Sequence, residues 1–339
     1  MPMRDLSFDP FEWQTTSDRR PTLLTLPLSS DPFERPMANN KKQGLTTFAM
    51  DGIIAVPATP FTHDDRVDED SLRRYVRRSV TQGVVGFLAP AVAGEVETLS
   101  VEERNLVVAT IVDEVDGRVP VIGGASDPDP SVRLQIAERV LELGCEGILA
   151  HVRFQDEDSY SGAIEDLGRM APGFLMIQDL DTGVVPVSLL AQLHRDVPSF
   201  KWAKVETGDR CRKCTALLRE TEGSLWIGSS GPDLIELLDR GIHAFLPTLY
   251  HDIYARIWSL HRSGCRDEAI LLWQRLLPCL SFVASHQAIQ WHISKAVLQA
   301  DEIFATRRIR AESPEPDAVE SRLIDELVEF ARELSNSIV

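Results

Sequence analysis

The chain has 339 residues, with 35 Lys and Arg against 52 Asp and Glu, a formal net charge of −17. An average surface field of that sign repels polyanions, which excludes general nucleic-acid binding as a first reading, while 43% hydrophobic content is too high for a disordered chain. No apolar run reaches the roughly 18 residues that a membrane-spanning helix needs, so no membrane partner is expected.

Asp5, Asp9 and Glu12 interrupt the segment where a secretory leader would be apolar, and five thinly spread cysteines fit a reducing compartment, so a cytoplasmic location is expected. Residues 1–49 are rich in Pro, Ser, Thr, Asp and Arg, lack any sustained period and read as a disordered N-terminal arm. Its repeated Asp-Pro-Phe-Glu, at Asp9 to Glu12 and Asp31 to Glu34, is either a docking element or a coincidence in a loose tail.

From Gly52 the texture changes to short β-branched runs alternating with amphipathic stretches, the pattern of successive βα units. Eight strands are predicted: Ile53–Pro57, Val85–Ala89, Val119–Gly123, Gly147–His151, Phe174–Asp179, Phe200–Lys204, Leu225–Gly228 and His243–Pro247. Helices are predicted between them at Glu69–Gln82, Val101–Glu114, Ser131–Leu143, Leu189–Arg195 and Asp233–Arg240, and Ser100 followed by Glu103 makes a capping box for the second. Parallel strands need crossovers, and eight regular repeats point to an α/β fold, a closed (β/α)8 TIM barrel over residues 50–262. Only helical patterns follow, at Ile253–Arg262, Asp267–Ala284, Ala288–Ala300 and Ala318–Leu334, giving a C-terminal helical region over 263–339. Trp258, Trp273 and Phe282 fall at helical spacing there and read as core or subunit contacts.

Barrels of this kind work at the C-terminal ends of their strands. Alternation along strand six sends Trp202, Lys204 and Glu206 inward and Ala203 and Val205 outward. A lysine inside a barrel is desolvated, which lowers its pKa from about 10.4 and suits a Schiff-base nucleophile. Glu206 opposes that effect, yet could stabilise an iminium cation or act as a general base; the structural alternative is a Lys204–Glu206 ion pair that holds the rim. His151 reads as a ligand, a base or a satisfied strand-end histidine, and Arg153 as a bidentate carboxylate binder or a salt-bridge partner of Asp156 or Asp158. Gly228 and Ser229 read as pocket lining. Cys211 and Cys214, at the start of the sixth helix, would gain thiolate character from the helix dipole, and no second pair completes a zinc site.

Four segments carry a resemblance. They are Ile54 to Phe61, ending in Thr59-Pro60-Phe61; Gly83 to Glu95 with Leu99-Ser100-Val101-Glu102-Glu103-Arg104; Val119 to Gly124; and Lys204 with Thr207-Gly208-Asp209. The chain from about Met50 to Leu334 resembles the dihydrodipicolinate synthase and N-acetylneuraminate lyase family of class I aldolases. The resemblance implies a metal-independent lyase with no cofactor beyond a lysine Schiff base, here Lys204, acting on a small-molecule carbonyl substrate as a homo-oligomer, a tetramer or a dimer. It also marks departures. The family's carboxylate-binding threonines correspond to Val92 and Ala93 beside Gly94, its relay tyrosine to Gln178, and its aromatic pair after strand four to Arg153-Phe154. Proton transfer then falls to Glu206, His151, Asp179 or water. The chemistry expected is aldolase-type cleavage or condensation, or dehydration, of a small oxo acid or related carbonyl compound; the competing reading is a non-catalytic binding or regulatory barrel.

Overall fold

The computed structural model describes residues 50–338; the expectations for the arm and its repeated motif lie outside the described residues. Eight parallel strands close into a barrel in sequence order: β1 (Gly52–Ala55), β2 (Gly86–Ala89), β3 (Val121–Gly124), β4 (Gly147–His151), β5 (Phe174–Leu180), β6 (Phe200–Glu206), β7 (Trp226–Ser229) and β8 (Ala244–Phe245). Each is followed by a helix, α1 (Glu69–Thr81), α2 (Val101–Val115), α3 (Pro130–Glu142), α4 (Glu157–Met170), α5 (Val187–Asp196), α6 (Arg210–Glu220), α7 (Leu234–Asp239) and α8 (His251–Arg262). The C-terminal extension is α9 (Arg266–Ser285), α10 (Gln290–Ala300) and α11 (Ala318–Asn336).

Local chemistry sets the helix starts. Asp68, Asp129 and Asp156 cap α1, α3 and α4 by accepting backbone N–H groups of the first turn, and Pro130 at the first position of α3 gives up no needed donor. Ser100 and Glu103 form the reciprocal capping box expected for α2. The strand boundaries differ from expectation mainly at two places. β5 and β6 run on to Leu180 and Glu206, because ladder pairing continues through Asp179 with Val205 and Leu180 with Glu206. β8 shrinks to two residues, although Leu246 still donates to the Ser229 carbonyl and the Pro247 carbonyl still accepts the Val56 N–H. The expected helix over 288–300 divides into a 3₁₀ turn, Gln287–Ile289, and α10.

Alternation along the strands separates two apolar layers. Ile54, Val56, Leu88, Ile122, Leu149, Met176, Trp202, Ala244 and Leu246 fill the lumen, while the intervening residues, Ala203 and Val205 among them, pack against the helices. Trp202 meets Trp226 edge to face, and Trp226 stacks on His243. These rings line the lumen below Lys204 on the same strand face. Trp273 of the extension donates its indole N–H to the Pro232 carbonyl and packs on the core.

The extension also grips the turns after β1 and β2. Lys295 of α10 lies 2.5 Å from Glu95, both side chains fully buried, and the other Glu95 oxygen accepts the Arg310 and Ala311 N–H groups at 2.7 Å each. Lys295 and Arg310 both sit on the Phe61 ring, at 4.3 and 4.2 Å from its centroid. Burial pushes the Lys295 ammonium down to about 8 despite the Glu95 carboxylate beside it.

Ser100→Ala removes one half of the α2 capping box while leaving Glu103 free to keep its pair with Arg310. The expected result is a loss of about 1 kcal/mol, read as a lower urea midpoint at unchanged slope.

Candidate active site

β6 delivers the two charged groups of the lumen. Lys204 Nζ lies 2.8 Å from Glu206 Oε2, with side-chain exposures of 8% and 18%. One residue separates them, so both point the same way, and Val205 between them is buried on the helix side. Gln178 of β5, in register with Lys204, donates its amide N–H to Glu206 Oε2 at 2.7 Å, and the Ser230 hydroxyl donates to Oε1. Burial pushes the Glu206 carboxyl up, but the Lys204 charge and the hydrogen bonds from Lys204, Ser230 and Gln178 outweigh it and hold the group below its ordinary range. The result is an oriented carboxylate touching an amine.

Neighbouring positions complete the wall. Gly228 of β7 pairs with Lys204 on the other side, and any side chain there would strike Leu246, so the lumen stays open beside the amine. His151 of β4 is half-buried and in register with Gln178. Its Nδ1 lies 3.2 Å from the Gln178 carbonyl and its Nε2 3.4 Å from the Thr182 hydroxyl. Ala93 packs against the lumen layer. Gly94 is buried beneath it, where a Cβ would meet the Pro57 carbonyl at 2.9 Å and the Thr59 hydroxyl at 3.0 Å, so only glycine lets this turn close on β1.

Several expected site residues stand elsewhere. Asp179 has the opposite parity from Gln178: it is fully buried on the helix-facing side, 2.5 Å from Lys213 of α6, and accepts the Val185 N–H. It is therefore corrected from a lumen group to a partner in the wall. Ser229 is likewise turned outward, its hydroxyl donating to the Val205 carbonyl, and the serine that reaches Glu206 is Ser230. Val92 is 59% exposed rather than lining the lumen, and its carbonyl accepts the Trp291 indole N–H at 3.4 Å. Arg153 is exposed, and among the described residues no ion pair joins it to Asp156 or Asp158, so the salt-bridge alternative is not realised. The thiolate expectation also fails. Burial pushes Cys214 up to about 12, and burial with Asp233 raises Cys211. Among the described residues no group of three or more His, Cys, Asp or Glu could hold a metal ion, and no helix is long and apolar enough to cross a membrane. Sequence reading missed Ser230 and Lys213. A strict two-residue count from Gly228 would have found the former; the latter required knowing which way Asp179 points.

Comparisons with known proteins agree with this architecture. The model of the dihydrodipicolinate synthetase family matches residues 49–164. The chain is 32% identical over 236 residues to the 4-hydroxy-tetrahydrodipicolinate synthase of Staphylococcus saprophyticus, covering 65% of this chain and 76% of that protein. Against the protein of the same name from Methanopyrus kandleri it is 33% identical over 125 residues, spanning only 42% of that relative. The solved dihydrodipicolinate synthase of Rhodopseudomonas palustris has the same fold, with a TM-score of 0.78 over 85% of this chain and 100% of that one, at 19% identity.

Two outcomes are expected from this geometry. Because the folded-state pKa of Glu206 is depressed, its ionisation contributes stability that is complete above the ordinary 4.5 and lost as the pH falls through the lower folded value. Glu206→Gln flattens that acid-side slope of unfolding free energy, measured by urea titration at stepped pH. Lys213→Met strands the buried Asp179 charge and costs about 3–5 kcal/mol, whereas Lys213→Met with Asp179→Asn recovers most of it. Equal losses in the single and double variants would refute the assigned pair.

Proposed function

The chain belongs to the dihydrodipicolinate synthetase family, and from that premise we propose that it is a lyase in which the Lys204 amine condenses with the carbonyl of a small oxo compound. The observation that carries this reading is the 2.8 Å contact between Lys204 and Glu206 inside the barrel lumen. A buried ammonium alone is costly, and a carboxylate beside it both offsets that cost and accepts its proton when a carbonyl arrives.

The proposed sequence conserves protons and electrons. Lys204 gives a proton to Glu206 and attacks the carbonyl carbon. Glu206 returns that proton to the carbinolamine oxygen and relays a second one from the nitrogen to the same oxygen, which leaves as water and yields the iminium, with Glu206 again ionised. Glu206 then removes a proton from the carbon adjoining the iminium to form an enamine. The enamine electron pair expels a hydroxyl from the next carbon, which takes one proton from the site and departs as water; the proton on Glu206 makes good that loss, and hydrolysis of the iminium frees Lys204 with Glu206 ionised.

Elimination of water is favoured over carbon–carbon cleavage by the placement of the base. The carboxylate stands at the Schiff-base nitrogen, within reach of the adjoining carbon. The neighbouring lumen position on β5, from which a hydroxyl proton would be drawn in cleavage, holds the Gln178 amide, which does not titrate at neutral pH. Gln178 and Ser230 orient Glu206 instead.

The test uses pyruvate, 4-hydroxybutan-2-one and 4-hydroxy-2-oxopentanoate with borohydride. A reduced adduct is expected on Lys204 by peptide mass, absent in Lys204→Ala. From 4-hydroxy-2-oxopentanoate the expected product is the unsaturated oxo acid rather than pyruvate and acetaldehyde. Glu206→Gln is expected to form the adduct more slowly and to slow elimination about 10²- to 10⁴-fold. No adduct with any probe, while an oxo compound still raises the melting temperature, would instead identify a binding protein.

A further inference from the structure

We infer that His151 is the general acid of this site, giving a proton to the leaving substrate hydroxyl while Glu206 handles the proton on carbon; the assignment rests on the Schiff-base reading above.

The register places it. His151, Gln178, Lys204 and Gly228 are consecutive cross-strand partners on β4 to β7, one rung around the barrel. Neighbouring strands are about 4.8 Å apart, so the His151 and Lys204 backbones are separated by about 10 Å. A substrate tethered to Lys204 and lying along this wall carries its carbon chain past Gln178 toward His151. Parity agrees: Leu149, two residues before His151, belongs to the lumen layer.

The ring is also oriented. Nδ1 faces the Gln178 carbonyl at 3.2 Å, and a carbonyl can only accept, so this nitrogen carries the proton in the neutral ring. Nε2 is left with its lone pair, facing the Thr182 hydroxyl at 3.4 Å. The His151 N–H donates to Ser126 at 2.9 Å, anchoring the strand end that presents the ring. In the cationic ring this nitrogen carries a proton and can exchange the Thr182 hydroxyl, at a loose 3.4 Å, for the oxygen of a substrate hydroxyl. Protonated at Nε2, the ring donates to the leaving oxygen, which departs as water; the proton that Glu206 took from carbon then passes through solvent to Nε2, so both groups return to their starting states. Glu206 is held at the nitrogen end of the substrate by Lys204, Gln178 and Ser230, one carbon short of that oxygen. The division is thus between two groups of different chemistry on one wall of the lumen.

The test separates two half-reactions. Exchange of the pyruvate methyl protons in D₂O, followed by NMR, needs Lys204 and Glu206 only; elimination from 4-hydroxybutan-2-one and 4-hydroxy-2-oxopentanoate also needs the acid. His151→Asn is expected to keep borohydride trapping and exchange within about threefold while losing elimination at least a hundredfold. His151→Gly is expected to regain elimination when imidazole is added, which a folding defect would not allow. Undiminished elimination in His151→Asn overturns the assignment, as does exchange that falls in parallel with elimination, or a wild type that traps and exchanges but eliminates from neither probe. Absence of any Lys204 adduct in the wild type is a different failure: it removes the Schiff-base reading itself, and the role of His151 with it.

Discussion

Side-chain alternation on β5 and β6 is the constraint on which the site depends. Along a closed parallel barrel each strand sends every second residue inward, and the ladder ties the phase of one strand to the next. Lys204 and Glu206 share the lumen because one residue separates them, and Gln178 joins them because it is the register partner of Lys204. The same rule sends Val205 and Asp179 to the other side of the same wall. The wall therefore carries two lysine–carboxylate pairs back to back. Lys213 of α6 and Asp179 are buried on the helix side of the wall, and their neutralisation of each other is structural. Lys204 and Glu206 have the same chemistry and a lumen in front of them.

A third pair, Lys295 with Glu95, shows how the mouth is held in shape. The turn after β2 leaves its strand through Glu95, whose backbone is in the left-handed region at φ 55°, a conformation a glutamate adopts only against resistance. Three hydrogen-bonding partners on its carboxylate, two of them backbone N–H groups from the segment before α11, fix it there. Thr59 adds a hydrogen bond to the Gly94 carbonyl at 2.7 Å. A buried ion pair is a poor source of net stability compared with apolar packing, but it strongly disfavours arrangements that leave either charge alone. Its place under the turn that carries Ala93 makes positional definition, rather than stability, its main contribution.

The barrel itself was legible because periodicity and capping are local signals. Eight β-branched runs, an Asp or Ser before α1 to α4, and the capping box at Ser100 each act within a few residues, and each recurs in the structure. Lys204 and Glu206 were legible for a similar reason, as they lie on one strand whose outward residues are unmistakably apolar. Errors arose where direction had to be inferred without such a neighbour. On β5, Gln178 and Asp179 are both polar, so hydrophobicity does not say which faces the lumen; the ladder with β6 does. At Gly228-Ser229-Ser230 two identical side chains compete for one role, and only the parity relative to Lys204 separates them. The Cys211 and Cys214 expectation failed for a different reason. The helix-dipole contribution is small beside desolvation and the carboxylate of Asp233.

The pairing of an amine with a carboxylate in a lumen otherwise walled by Val56, Leu88, Leu149 and Leu246 has a consequence for every state of the proposed reaction. With the site free, ammonium and carboxylate balance. In the iminium state the cation remains at the same nitrogen and the carboxylate is unchanged. When the carbon proton moves to Glu206, the nitrogen becomes neutral in the enamine at the same moment as the carboxyl does. The nitrogen and its partner thus carry no net charge in any of these three states, so an apolar cylinder need not resolvate an isolated ion at each step. Had the base been placed on a different wall, each proton transfer would have separated charge across a low-dielectric space. Holding the acceptor two residues along the strand from the nucleophile is the arrangement that avoids this, and the alternation of a single strand supplies it.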